Sequence, residues 1–214
     1  MTSSPSSPAP HARRGPLIAL VLACCLGVAA GCTGGRQPAA APSPSSSTST
    51  GSAATISAAP VPLVVRVVRV SGGLSKADRS ALEHNLGTVV TSYLQHAYLG
   101  GSWPRSDFSD AFTYFTPGVR AQARGDQDLL TNHQLGASTR QVTAKETTAY
   151  LSVLAPHRVA AGVSARLTLR YVADRGDASA AEVHVVGRLS FTRTDAGWRI
   201  VGYHLARSVR AVSE

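Results

Sequence analysis

The sequence predicts an α+β domain over residues 61–214, with N-terminal helices packed on one face of a curved antiparallel sheet. Three observations lead there. Both Trp, all six Tyr and all four Phe lie after residue 90, so material for a packed core is confined to the later part of the chain. Apolar residues recur at spacings of three and four between Leu82 and Ala97, the period of a helix with one buried face. From about residue 138 the period changes to two, the mark of strands with one face covered. Helices first and hairpin-linked strands afterwards give a layered α+β arrangement rather than alternating βα units.

The chain before that domain has a different composition. Residues 1–16 are polar and carry Arg13 and Arg14 without an acid, and residues 17–31 (LIALVLACCLGVAAG) are apolar and end in small residues. A basic stretch, an apolar stretch and small residues are the order of parts in a secretory signal, and the apolar run falls short of the about 20 residues a span needs. The segment Val28-Ala29-Ala30-Gly31-Cys32 resembles the bacterial lipobox, with Ala29 where that motif most often has Leu. The resemblance implies cleavage after Gly31 and diacylglycerol on the Cys32 thiol, hence attachment to the membrane through an N-terminal lipid with the body facing outward. Residues 1–31 are therefore expected to be a signal peptide.

Residues 32–60 are rich in Ser, Pro, Ala and Thr, with Arg36 as their one charge and no aromatic residue. Nothing in them offsets the entropy lost on ordering, so they are expected to form a disordered tether with a reach on the order of 30 Å. The three cysteines, Cys24, Cys25 and Cys32, all precede residue 33. Disulfides, a cysteine nucleophile and thiolate metal sites are thereby excluded from the folded part.

Within the domain, residues 61–70 (VPLVVRVVRV) are β-branched and read as a strand ended by Gly72-Gly73. Ser75, with Asp78 three residues on, reads as the cap of a helix that runs to Gly100-Gly101. Phe108, Ala111, Phe112 and Phe115 suggest a second helical segment, broken at Thr116-Pro117-Gly118 and renewed through Leu129 and Leu130. A strand follows over Gln141 to Ala155. Val163, Ala165, Leu167, Leu169 and Tyr171 then alternate with polar residues, as do Val183, Val185, Leu189 and Phe191. After the turn Asp195-Ala196-Gly197, the return strand has its inward set at Trp198 and Ile200, then at Tyr203 and Leu205. That change of phase requires a one-residue slip, placed at Gly202.

These elements, the break at Thr116-Pro117-Gly118 and the closing Gly197-Trp198-Arg199-Ile200 strand resemble the nuclear-transport-factor-2-like superfamily over about residues 75–209. They are also similar to actinobacterial envelope versions of that fold, such as mammalian-cell-entry-associated proteins, in which the domain follows a membrane anchor. The resemblance implies a cone-shaped domain, with a homodimer through the sheet as one option; the tether, together with an apolar cavity without catalytic polar groups, suggests that it holds an envelope protein partner or an apolar ligand. The strand at residues 61–70 lies outside the usual pattern.

The same superfamily includes isomerases and cyclases, whose cones hold an acid or base with a pKa shifted by burial. Here the inward strand positions are aliphatic or aromatic, while Arg166, Arg170, Glu182, His184 and Arg188 take the alternate face. The residues left to line a pocket are Asp107, Asp110, Tyr114, Tyr171, Trp198 and Tyr203. No catalytic residue, cofactor or metal is assigned, since the histidines lack ligand spacing and no phosphate-binding or nucleophile-elbow motif occurs. Two readings stay open: a non-enzymatic binding or scaffolding domain, and a pocket enzyme with Asp107 or Asp110 as base and Tyr114 or Tyr203 as donor. The formal charge of +9 is nearly all arginine, scattered singly, and reads first as a solvated face. Acidic lipid or wall polymer is the alternative, and nucleic acid is not expected as a partner of an exported chain.

Overall fold

The computed structural model describes residues 61–176 and 178–212. The expected signal peptide and tether, with Gly31 and Cys32, lie outside the described residues. The described part is an α+β fold: β1 (Val64–Gly72), α1 (Lys76–Leu94) continued by a π turn (Gln95–Leu99), a 3₁₀ helix (Ser109–Tyr114), α2 (Pro117–Gly125), α3 (Gln127–Leu130), α4 (His133–Gly136), then β2 (Gln141–Ala155), β3 (Gly162–Arg175), β4 (Ala178–Thr194) and β5 (Gly197–Ala211).

The strands form one five-stranded sheet in the order β1-β2-β3-β4-β5. β2 to β5 are antiparallel neighbours, as their short connections require. β1, however, pairs with β2 in parallel, so the sheet is mixed where the sequence predicts an antiparallel one. The physical reason is the crossover: the whole helical region lies between β1 and β2, long enough to carry the chain back to the end from which it started.

α1 begins where the sequence places it, with Ser75 Oγ accepting the Asp78 amide at 3.0 Å. Leu82, Leu86, Val90, Tyr93 and Leu94 are its buried face, and burial of each such side chain contributes about 1.5–3 kcal/mol. Against them lie Leu151 and Val153 of β2, Ala165, Leu167, Leu169 and Tyr171 of β3, and Val183, Val185, Leu189 and Phe191 of β4. The helix expected from Pro117 to Leu130 is interrupted after Gly125. Asp126 takes a non-helical backbone there and α3 starts afresh, followed by the short α4, which the periodicity does not reveal.

Buried polar groups hold these short helices down. Tyr93 and Tyr98 donate to the carbonyls of Leu130 and Leu129 at 2.8 and 2.7 Å, and Tyr171 donates to Asn132 Oδ1 at 2.9 Å. Removal from water pushes all three phenols to higher pKa, Tyr171 to about 12. The sheet itself carries the devices that bend sheets. Register shifts occur at Val68, Lys145 and Asp174, and Gly187 sits at φ +142, where an added Cβ would lie 2.1 Å from the His204 carbonyl oxygen. In β5 the extra residue is Val201: Ser190 pairs with Gly202 while Phe191 pairs with Ile200.

Candidate functional site

A groove of about 880 Å³ opens where the exposed side of α1, the turn after β2 and the β4–β5 hairpin meet. Its floor is apolar. Leu82 and Val89 from α1, Leu74 ahead of it, Ala160 and Trp198 supply the surface, and Trp198 is only 7% exposed. Val159, at 59% exposed, forms an apolar lip. The rim is basic, with Arg158, Arg193 and Arg199 contributed by the turn and by both arms of the hairpin.

Local backbone structure puts those arginines there. His157 and Arg158 both have left-handed dihedrals, φ 52 and φ 64, which non-glycine residues rarely adopt and which cost on the order of 1–3 kcal/mol each. Their strain turns the chain so that Arg158 lies beside Gly73 and faces the groove. The hairpin closes at Gly197, φ +90, and Thr194 Oγ1 donates to the Gly197 carbonyl at 2.8 Å. Arg193 and Arg199 flank that closure on opposite arms. Arg199 spends one N–H on the Trp198 carbonyl at 2.9 Å. Arg158 and Arg193 make no side-chain hydrogen bond or ion pair with the described residues. Asp78 is the one carboxylate in the lining, and it is already engaged by the Ser75 hydroxyl. An apolar floor under unpaired guanidiniums is chemically suited to a ligand with an apolar body and an anionic end.

The six residues singled out from the sequence do not converge on this groove or on one another. Trp198 alone lines it. Asp107, in the loop ahead of the 3₁₀ helix, and Asp110, within it, are both exposed. The Asp107 carboxylate accepts the Ser109 amide at 2.8 Å, which holds its pKa below the ordinary value. Tyr114 hydroxyl lies 3.1 Å from His96 Nδ1. Tyr203 donates to Asp126 at 2.6 Å, and desolvation followed by that bond pushes it up to about 12. Tyr171 is a core residue with a satisfied hydroxyl. Both carboxylates are exposed, and the Tyr114 and Tyr203 hydroxyls lie against His96 and Asp126 rather than beside Asp107 or Asp110. Arg158 and Arg193 carry no sequence signal of their own, because what makes them notable is a strained turn and a hairpin geometry.

Among the described residues no group of three or more His, Cys, Asp or Glu side chains is placed to hold a metal ion, and no helix is long and apolar enough to cross a membrane. No family profile, curated protein or solved structure matches the chain.

Proposed function

We propose that this chain is an exported envelope protein, anchored at the cell membrane by a lipid on Cys32, whose folded domain is a non-enzymatic binding module of the nuclear-transport-factor-2-like kind. The lipobox resemblance at residues 28–32 and the charge-poor tether after it support the anchor. Helices ahead of a bent antiparallel sheet, the break before Pro117 and the closing β4–β5 hairpin support the fold assignment, with β1 as an added parallel edge strand.

The observation that carries the binding function is the groove, lined by Trp198 together with two arginines, Arg158 and Arg193, whose side chains make no hydrogen bond or ion pair with the described residues. We assign it a small amphiphile with an acyl-like body and a carboxylate or phosphate end. Nothing favours the isomerase reading, since its candidate bases are exposed and its candidate donors are engaged elsewhere.

The test is a titration of a long-chain fatty acid into the full chain carrying Trp103→Phe, so that Trp198 is the remaining fluorophore. Saturable quenching or enhancement is expected, with affinity about tenfold weaker in Arg158→Ala and again in Arg193→Ala, the loss of one charge-assisted hydrogen bond each. A flat titration, or equal affinity in the arginine variants, overturns the groove as the site. Mass spectrometry of the exported product tests the anchor separately: the N-terminus should be an acylated Cys32.

A further inference from the structure

The outer face of the sheet carries a feature visible only once the register is known. Arg66 of β1 stands opposite Tyr150 of β2, Tyr150 opposite Arg166 of β3, Arg166 opposite Arg188 of β4, and Arg188 opposite His204 of β5. One continuous row therefore crosses all five strands, and each member is exposed. With strands about 4.8 Å apart the row is about 19 Å long.

Like charges directly opposite one another on a sheet are destabilising, and Arg166 and Arg188 are such a pair. The same face shows how the conflict is ordinarily relieved. Two rows away Arg170 stands opposite Glu146, and it forms an ion pair with Glu182 at 2.7 Å. No acid occurs in the basic row, and Arg66, Arg166, Arg188 and His204 make no side-chain hydrogen bond or ion pair with the described residues. A local rule is broken with no compensation among the described residues, which points to compensation from outside.

The surroundings indicate what kind of surface supplies it. A shallow basin of about 530 Å³ lies along the row, lined by Val68, Tyr150, Ser152, Ser164, Arg166 and Arg188. Large apolar side chains stand exposed at its β1–β2 end, Val68 at 61%, Leu154 at 57% and Tyr150 at 38%. A soluble anionic polymer needs the cations alone. The headgroup region of a bilayer accepts cations together with Tyr and aliphatic side chains, and the pairing of both on one face favours it.

We infer that this outer face docks flat on an anionic lipid surface, with the Arg66–Tyr150–Arg166–Arg188–His204 row against lipid phosphates and Val68, Tyr150 and Leu154 at the acyl boundary. The inference rests in part on the proposed anchor, which would keep the face within reach of the membrane. Docking so oriented turns the sheet toward the bilayer and leaves the side of the sheet covered by α1 directed away.

The experiment reconstitutes the full chain into vesicles of phosphatidylcholine alone and into vesicles enriched in phosphatidylglycerol, both with a trace of dansyl-headgroup lipid. Energy transfer from Trp103 and Trp198 reports the distance of the domain from the surface. Transfer should be higher on the anionic vesicles, fall when salt is raised, and drop to the phosphatidylcholine level in R66Q/R166Q/R188Q. Each guanidinium is expected to contribute about fivefold to the docking equilibrium, on the order of a hundredfold for three. A thermal melt of the triple variant no lower than that of the parent confirms that it folds; the salt dependence of the unaltered chain tests the idea independently.

Equal transfer on the two vesicle types, while the chain floats with both, overturns docking and leaves the anchor intact. A chain that fails to float with phosphatidylcholine vesicles removes the anchor instead. Docking is then read from flotation with anionic vesicles, and absence there overturns it too. Binding to soluble polyphosphate without any rise in transfer on anionic vesicles assigns the row to a polymer and also overturns the proposal.

Discussion

The two faces of the sheet are made by the same strands, residue by alternate residue, and they satisfy opposite requirements. On the inner face every position of β3 from Val163 to Tyr171 is apolar and covered by α1 or by the short helices, and the buried phenols give their hydroxyl protons to carbonyl oxygens. On the outer face Arg166 and Arg188 oppose each other with no partner among the described residues to offset their charge. The first arrangement is what burial demands of a stable core. The second opposes stability, so the comparison separates the residues that hold the fold from those free to serve an external surface.

The sharpest way to break this comparison is to truncate one residue on each face of β3 and β4. Leu169→Ala should cost about 2–5 kcal/mol, from lost transfer energy and the cavity left behind, and a shifted denaturant midpoint at unchanged slope would show it. Alkali should act next, and only from within. Tyr171 has its pKa raised from 10.0 to about 12 by burial, so its neutral form is favoured in the folded state. That contribution is complete below pH 10 and is lost as pH rises through the folded value, an effect of about 2–3 kcal/mol for this one phenol. Stability measured below pH 10 and again near pH 12 should therefore fall, and Tyr171→Phe should flatten the fall. Least of all should come from outside: Arg188→Ser relieves a like-charge pair and should leave stability within about 0.5 kcal/mol of the parent or slightly above it. A large loss from Arg188→Ser would mean that the outer face contributes to the fold after all.

The inner face was legible in the sequence because period two is a local property. The alternation of Val163 to Tyr171 and of Val183 to Phe191 places the core before any pairing is known. Even the phase change in β5 could be placed, since Trp198 and Ile200 point inward again only one position out of step with Tyr203 and Leu205; the extra residue is Val201, next to the glycine expected to mark it. The basic row was not legible, because it exists only through register. Arg66 and Arg166 are 100 positions apart, and their alignment through Tyr150 depends on the crossover to β2 and on the turn after it. The groove hid for a similar reason. Its arginines are ordinary in sequence, and Arg158 reaches the rim only through a backbone conformation that local propensity disfavours.

The edge of the sheet has its own consequence. β1 has a register shift at Val68, and the Val67 amide donates to Glu83 Oε1 at 2.6 Å. On the opposite side Phe115 bridges to Ile200, and the Thr116 amide donates to the Ile200 carbonyl at 2.9 Å. Main-chain groups that would otherwise template another strand are thus spent on the protein's own helical layer. Copies of the chain crowded in two dimensions would meet with blunted margins, so encounters there are decided by side chains, and a change of a single exposed residue can retune them without any rearrangement of the backbone.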